Sequence, residues 1–246
     1  MSRAAALSPA DMPAPALRHW LGIEIVEVSP LERAVAALGG GLSILILVLT
    51  ASWVLPGEGA ACVIASMGAS AVLLFGVPHG SLSQPWPAVA GHCISAFIGV
   101  VCARHVPQAH LAAACAVGFS IAAMQQLRCI HPPGGATAFT AVMGGQAVHE
   151  LGYRFVLIPV LANALLMVLL AVMINFAFRW RRYPVILSRP PAPQRPALSD
   201  SSVKHSHAEV VAALRSIDSF VDISEEDLLR LAGLINRSGD PDLGAR

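Results

Sequence analysis

Between Ala34 and Phe178 the chain carries only five charged side chains: Glu58, Arg104, Arg128, Glu150 and Arg154. Of the 16 basic and 15 acidic side chains in the 246 residues, the other 26 crowd into the remaining 101 positions. A soluble domain carries about 25% charged residues throughout. Here the figure is 13%, with 55% hydrophobic residues and a mean hydropathy of +0.65. A long uncharged block with charged ends excludes an ordinary soluble domain and a disordered chain. It predicts an all-α, polytopic membrane protein. A net charge of +1 offers nothing to a nucleic acid, and none is expected as a partner.

The block divides into six apolar segments, near 34–55, 59–76, 87–103, 109–126, 127–145 and 154–178. A spanning helix needs roughly 20 apolar residues, so the first and sixth are long enough with tilt. The first is expected to be retained as an anchor rather than removed as a signal. Six crossings leave Arg18, Arg33, Arg128, Arg179, Arg181, Arg182 and Arg189 on one side, with Arg104 and Arg154 on the other. That asymmetry predicts both termini in the cytoplasm, and the expected location is a bacterial-type inner membrane. The expected domains are a tail at 1–33, a transmembrane domain at 34–182, a proline-rich linker at 183–202 and a short amphipathic helical tail at 203–246.

Segments two and five share a pattern at an offset of 67 residues. Gly68-Ala69-Ser70-Ala71 matches Gly135-Ala136-Thr137-Ala138, and Cys62 matches Cys129. A three-segment unit repeated in tandem comes out inverted. The expectation is therefore inverted 3+3 repeats with broken helices at the bilayer midplane. Half-helix N-termini there would present free N–H groups to an anion.

Segment five carries the chemistry. In His131-Pro132-Pro133-Gly134-Gly135-Ala136-Thr137 the residue before proline avoids the α region. The prolines then suit a first helical turn. Gly134, Gly135 and Ala136 are expected to offer N–H donors, and Thr137 a hydroxyl. An unperturbed histidine titrates near neutrality, so His131 would gate or carry a proton; a packed, hydrogen-bonded histidine is the plainer alternative. Arg128 would raise the local potential or simply snorkel to the interface. Ser83 and Gln84, in a loop rich in turn formers, would line an inner vestibule or form an ordinary turn. Gly68, Ala69 and Ser70 complete the expected substrate site. His92, His105, His110 and His149 show no metal-ligand spacing. The five cysteines read as buried, inert thiols. No nucleophile elbow or triad is visible, so neither an enzyme nor a cofactor is expected.

The runs MGASAVLLFGVPHGSLSQPW, GHCISAFIGV and LRCIHPPGGATAF resemble the HPP family of integral membrane proteins, over about residues 30–180. Members in plastids and cyanobacteria are linked to nitrite transport. The resemblance thus implies movement of nitrite or a similar small monovalent anion, with the motif residues as its site. The family pattern Ser-Pro-Leu-Ala-Gln-Pro followed by Arg-Asn is replaced here by Gly80-Ser81-Leu82-Ser83-Gln84-Pro85 followed by Trp86-Pro87, which loses a basic residue. Some bacterial members carry C-terminal CBS domains. The stretch 206–236 resembles what precedes those domains, and no CBS module is expected. The alternatives are a channel for a small neutral solute, and a non-transporting scaffold that recruits a partner through its tail. Gly39-Gly40-Gly41 suits close helix packing, within a chain or in a homo-oligomer.

Overall fold

The structure, a computed structural model, describes residues 28–51 and 58–187. Residues 1–27 of the expected N-terminal tail, the expected linker from residue 188 and the expected tail 203–246 lie outside the described residues. Helix α1 runs Pro30–Ala51, α2 Glu58–Ala71, α3 Pro85–His105, α4 Ala109–Gln126, α5 Pro132–Met143, α6 Gln146–Leu151 and α7 Ala162–Phe176. A wide π-type turn, Val72–Gly76, extends α2, and another, Val156–Leu161, leads into α7. There is no strand among the described residues.

Three stretches are long and apolar enough to cross a membrane: Pro30–Thr50, Pro85–His105 and Val156–Phe176. Val63–Gly76 is a shorter apolar helix. The sequence puts the polar tail's end at residue 33, yet α1 begins at Pro30 and takes Glu32 into its first turn. Segment five is helical only over its 12 residues from Pro132 to Met143. At 1.5 Å per residue that is about 18 Å, short of a hydrocarbon core about 30 Å thick. The broken midplane helix expected in the second segment is not found. α2 runs unbroken through Gly68, whereas α5 begins at Pro132.

Small residues hold the bundle together. A Cβ on Gly99 would stand 2.6 Å from Ala141 Cβ, and one on Gly134 2.9 Å from the Gly91 carbonyl. The backbones of α3 and α5 therefore touch, as small-residue interfaces allow in membranes. Gly39 packs against Phe75 and Ile174 of the same chain. Leu47, Met67, Leu74, Phe75, Met167 and Tyr183 form the core joining α1, α2 and α7.

Candidate functional site

α4 ends in a turn that aims the motif. Arg128 adopts φ 53°; its amide donates to Gln125 O at 3.2 Å and the Cys129 amide to Met124 O at 2.9 Å. These are the two bonds of a Schellman motif, with Cys129 and Met124 supplying its apolar contact. Arg128 thus occupies a left-handed position usually given to glycine, and its side chain is exposed. Trp86 Nε1 donates to Leu127 O at 3.3 Å, satisfying another carbonyl at this helix end. The chain then runs through extended His131 (φ −141°, ψ 101°) into Pro132 and Pro133, the first turn of α5.

His131 is fully buried and faces a polar cluster. Its Nδ1 lies 2.8 Å from the Leu82 carbonyl. A carbonyl only accepts, so Nδ1 carries the proton and donates. His131 Nε2 lies 2.9 Å from Ser70 Oγ on α2. Ser70 Oγ lies 2.7 Å from His92 Nε2 on α3. His92 Nδ1 lies 2.7 Å from Thr137 Oγ1 on α5. The two imidazoles meet edge to face with centroids 5.0 Å apart. All four side chains are almost completely shielded, and they hydrogen-bond to one another and to backbone carbonyls.

His92 is seven residues into the 21-residue α3. That is about 11 Å along a helix about 32 Å long, a third of its length rather than its middle. Composition and motif reading passed over His92 because it has no ligand-spaced partner. Its signal was an imidazole well inside an apolar 21-residue helix, away from the polar end at Arg104 and His105.

The expected cradle of helix-end amides is not present. Gly68, Ala69 and Ser70 lie in the last turns of α2, which starts at Glu58, so no helix N-terminus exists there. At α5 two of the first amides are missing because they belong to prolines. The Gly134 N–H already donates to His131 O at 2.8 Å. The amides of Gly135 and Ala136 close onto carbonyls four residues back in a helix starting at Pro132. Of the expected residues, the fold gathers Ser70, His131 and Thr137, with Gly134 packed beneath them against Gly91 and Ser95. Ala69, Pro132 and Ala136 are exposed, and a Cβ on Gly68 would meet nothing within 4 Å.

Ser83 and Gln84 belong instead to a strap at one end of the bundle. Ser83 Oγ donates to Leu73 O at 3.0 Å, and its carbonyl accepts from Tyr183 OH at 2.8 Å. Gln84 Nε2 donates to Pro78 O and Gly80 O, while its Oε1 accepts from the Val185 amide. Beside them Arg181 is buried against Glu32, and also donates to Asn175 Oδ1 at 3.1 Å and to the Phe75 carbonyl. Trp180 Nε1 donates to the other Glu32 oxygen at 2.9 Å. This buried ion pair, 149 residues apart in sequence, went unread because neither residue carries a local signal.

The transmembrane region of the HPP family matches residues 26–184. The chain belongs to the HPP transmembrane family. Two Dictyostelium discoideum proteins, each described as a transmembrane protein, are similar to this HPP protein. One is 43% identical over 126 residues, the other 40% over 124. The matches cover 50% and 49% of this chain but 44% and 40% of the relatives. This HPP chain therefore spans less than half the length of those curated relatives. No solved structure matches it.

Proposed function

We propose that this HPP protein is a membrane transporter for a small monovalent anion, nitrite first among the candidates, with Ser70, His92, His131 and Thr137 as its polar path. The buried cluster itself carries the reading. Four polar side chains in an apolar bundle are costly to bury and do no work that apolar packing would not do better. The family resemblance supplies the substrate class. A neutral pair of imidazoles has no charge to offer an anion, but one added proton creates a cation in a water-poor site. Each charge-assisted hydrogen bond there is worth about 1.5–3 kcal/mol, which offsets part of the anion's dehydration.

The arginine distribution supports both termini on the cytoplasmic face, and the membrane proposed is a bacterial-type inner membrane. In this reading the partners are lipid and the anion. Gly41 and Gly118, where an added Cβ would meet nothing within 4 Å, leave room for a second copy. One observation favours a channel for a small neutral solute instead: in the uncharged state the donors of the cluster are engaged with one another. Nitrite uptake into proteoliposomes, with wild type beside His131→Gln at pH 6 and pH 8, tests the proposal. Saturable uptake above empty liposomes, competed by other anions and reduced at least tenfold in the variant, is expected. Uptake no greater than in empty liposomes at either pH refutes nitrite as the substrate. Flux without saturation or anion competition selects the neutral channel.

A further inference from the structure

The contacts of the cluster have a consistent direction. His131 Nδ1 donates to Leu82 O, so in the neutral ring Nε2 is bare and must accept from Ser70. With its own proton committed to His131, the Ser70 oxygen accepts from His92 Nε2–H. His92 is then bare at Nδ1 and accepts from the Thr137 hydroxyl. Every hydrogen bond from Thr137 to Leu82 runs the same way, and one carbonyl at the end sets them all. Two longer contacts provide the opposite arrangement: Thr137 Oγ1 lies 3.4 Å from Pro133 O, and Ser70 Oγ 3.4 Å from Ser66 O.

We infer that Thr137, His92, Ser70 and His131 form a directional proton relay that ends as a positive charge on His131 and couples anion movement to a proton. A proton arriving at the Thr137 oxygen releases the Thr137 hydroxyl proton to His92 Nδ1. His92 passes its Nε2 proton to Ser70, and Ser70 passes its own to His131 Nε2. One proton has entered, and no other bond is made or broken. His131 now holds two N–H groups, His92 has exchanged tautomers, and the new Thr137 hydroxyl turns to Pro133 O. The relay rests on the transport reading only for the identity of the anion that follows the charge.

The titratable neighbours do not short-circuit it. Cys93 adjoins His92 on α3, Cys129 lies two residues before His131, and His79 in the loop contacts Arg182 O. The hydrogen bonds of the four side chains run to one another and to backbone carbonyls. Arg128 is exposed, and α5 carries no titratable side chain.

Nitrogen-15 histidine NMR of the full chain in lipid tests the relay without any substrate. His92→Gln and His131→Gln each remove one signal and so assign the pair. At neutral pH His131 is expected as the Nδ1–H tautomer and His92 as the Nε2–H tautomer. As the pH falls, His131 gains its second proton and His92 changes tautomer in the same step. In Ser70→Ala the two events separate, while the other seven histidines keep their shifts as a check on folding. His92 found as Nδ1–H at neutral pH, or unchanged while His131 titrates in the wild type, overturns the relay. A second arm follows internal pH by a trapped dye during nitrite uptake. Co-movement of protons in the wild type, reduced at least tenfold in Ser70→Ala, is expected; nitrite uptake without proton movement overturns the coupling. If the tautomers behave as stated but no nitrite moves, the relay stands and the nitrite reading fails.

Discussion

Arg181→Met removes the cation of a pair that is almost wholly out of solvent, with side chains 1% and 4% exposed. Methionine refills much of the volume, so the loss is electrostatic. The Glu32 carboxylate loses its guanidinium, and the Asn175 and Phe75 oxygens each lose a donor. Breaking one partner of a buried pair costs about 3–5 kcal/mol, because the remaining charge stays desolvated. For a chain of this size each kcal/mol moves the melting temperature by about 2–4 °C, so a drop of about 10 °C is expected. Fluorescence-detected size exclusion after heating in detergent reads this as a loss of the monodisperse peak. The same physics sets a control: Glu32→Gln with Arg181→Met removes both charges and should recover most of the loss. Raising the ionic strength should change the wild type little, since salt screens buried pairs weakly. A single variant melting within about 2 °C of wild type, or a double variant no better than the single, would refute the buried-pair account.

Four further outcomes follow from the same geometry. Gly134→Ala puts a Cβ 2.9 Å from the Gly91 carbonyl and should cost about 1–3 kcal/mol, whereas Gly135→Ala meets only Val117 at 4.0 Å and should gain about 0.5–1 kcal/mol; melting curves of the pair separate them. Arg128→Gly relieves a left-handed φ and should stabilise by about 0.5–1 kcal/mol, with no loss of transport since the side chain is exposed. Gly91→Ala places a Cβ 2.7 Å from His131 Cβ, and should shift the His131 ring signals and lower transport at least tenfold. Burial holds the His79 imidazole below its ordinary value of 6.5, partly offset by the Arg182 carbonyl. The folded state therefore resists its protonation, and the stability it contributes above pH 6.5 is lost as pH falls below that value. Between pH 7.5 and 5.5 the melting temperature of His79→Gln should fall less than that of wild type.

Much of the fold is legible locally. The charge gap announces the membrane class, the fourth segment coincides with α4, and the prolines after His131 mark the start of α5. The helix break expected at Gly68 is not found, because small residues are common in membrane helices and do not by themselves break one. Gly68 is accommodated inside α2, since α2 has no proline at that point to remove an amide. The amide cradle failed for the complementary reason: the same prolines that start α5 remove its donors, and His131 O takes the next one.

The sequence by itself determined the solvent this chain folds in and the place where the His-Pro-Pro motif turns into a helix. Those properties depend on hydropathy summed over a segment and on steric rules that act between adjacent residues. Only the tertiary structure decided that Ser70, His92, His131 and Thr137 meet, and that Arg181 finds Glu32. Such pairings span 22 to 149 positions. The cluster forms because α3 and α5 approach closely enough at Gly91, Gly99 and Gly134 for backbones to touch, and both pairings form because a buried polar group has no water to turn to and must find its partner elsewhere in the bundle.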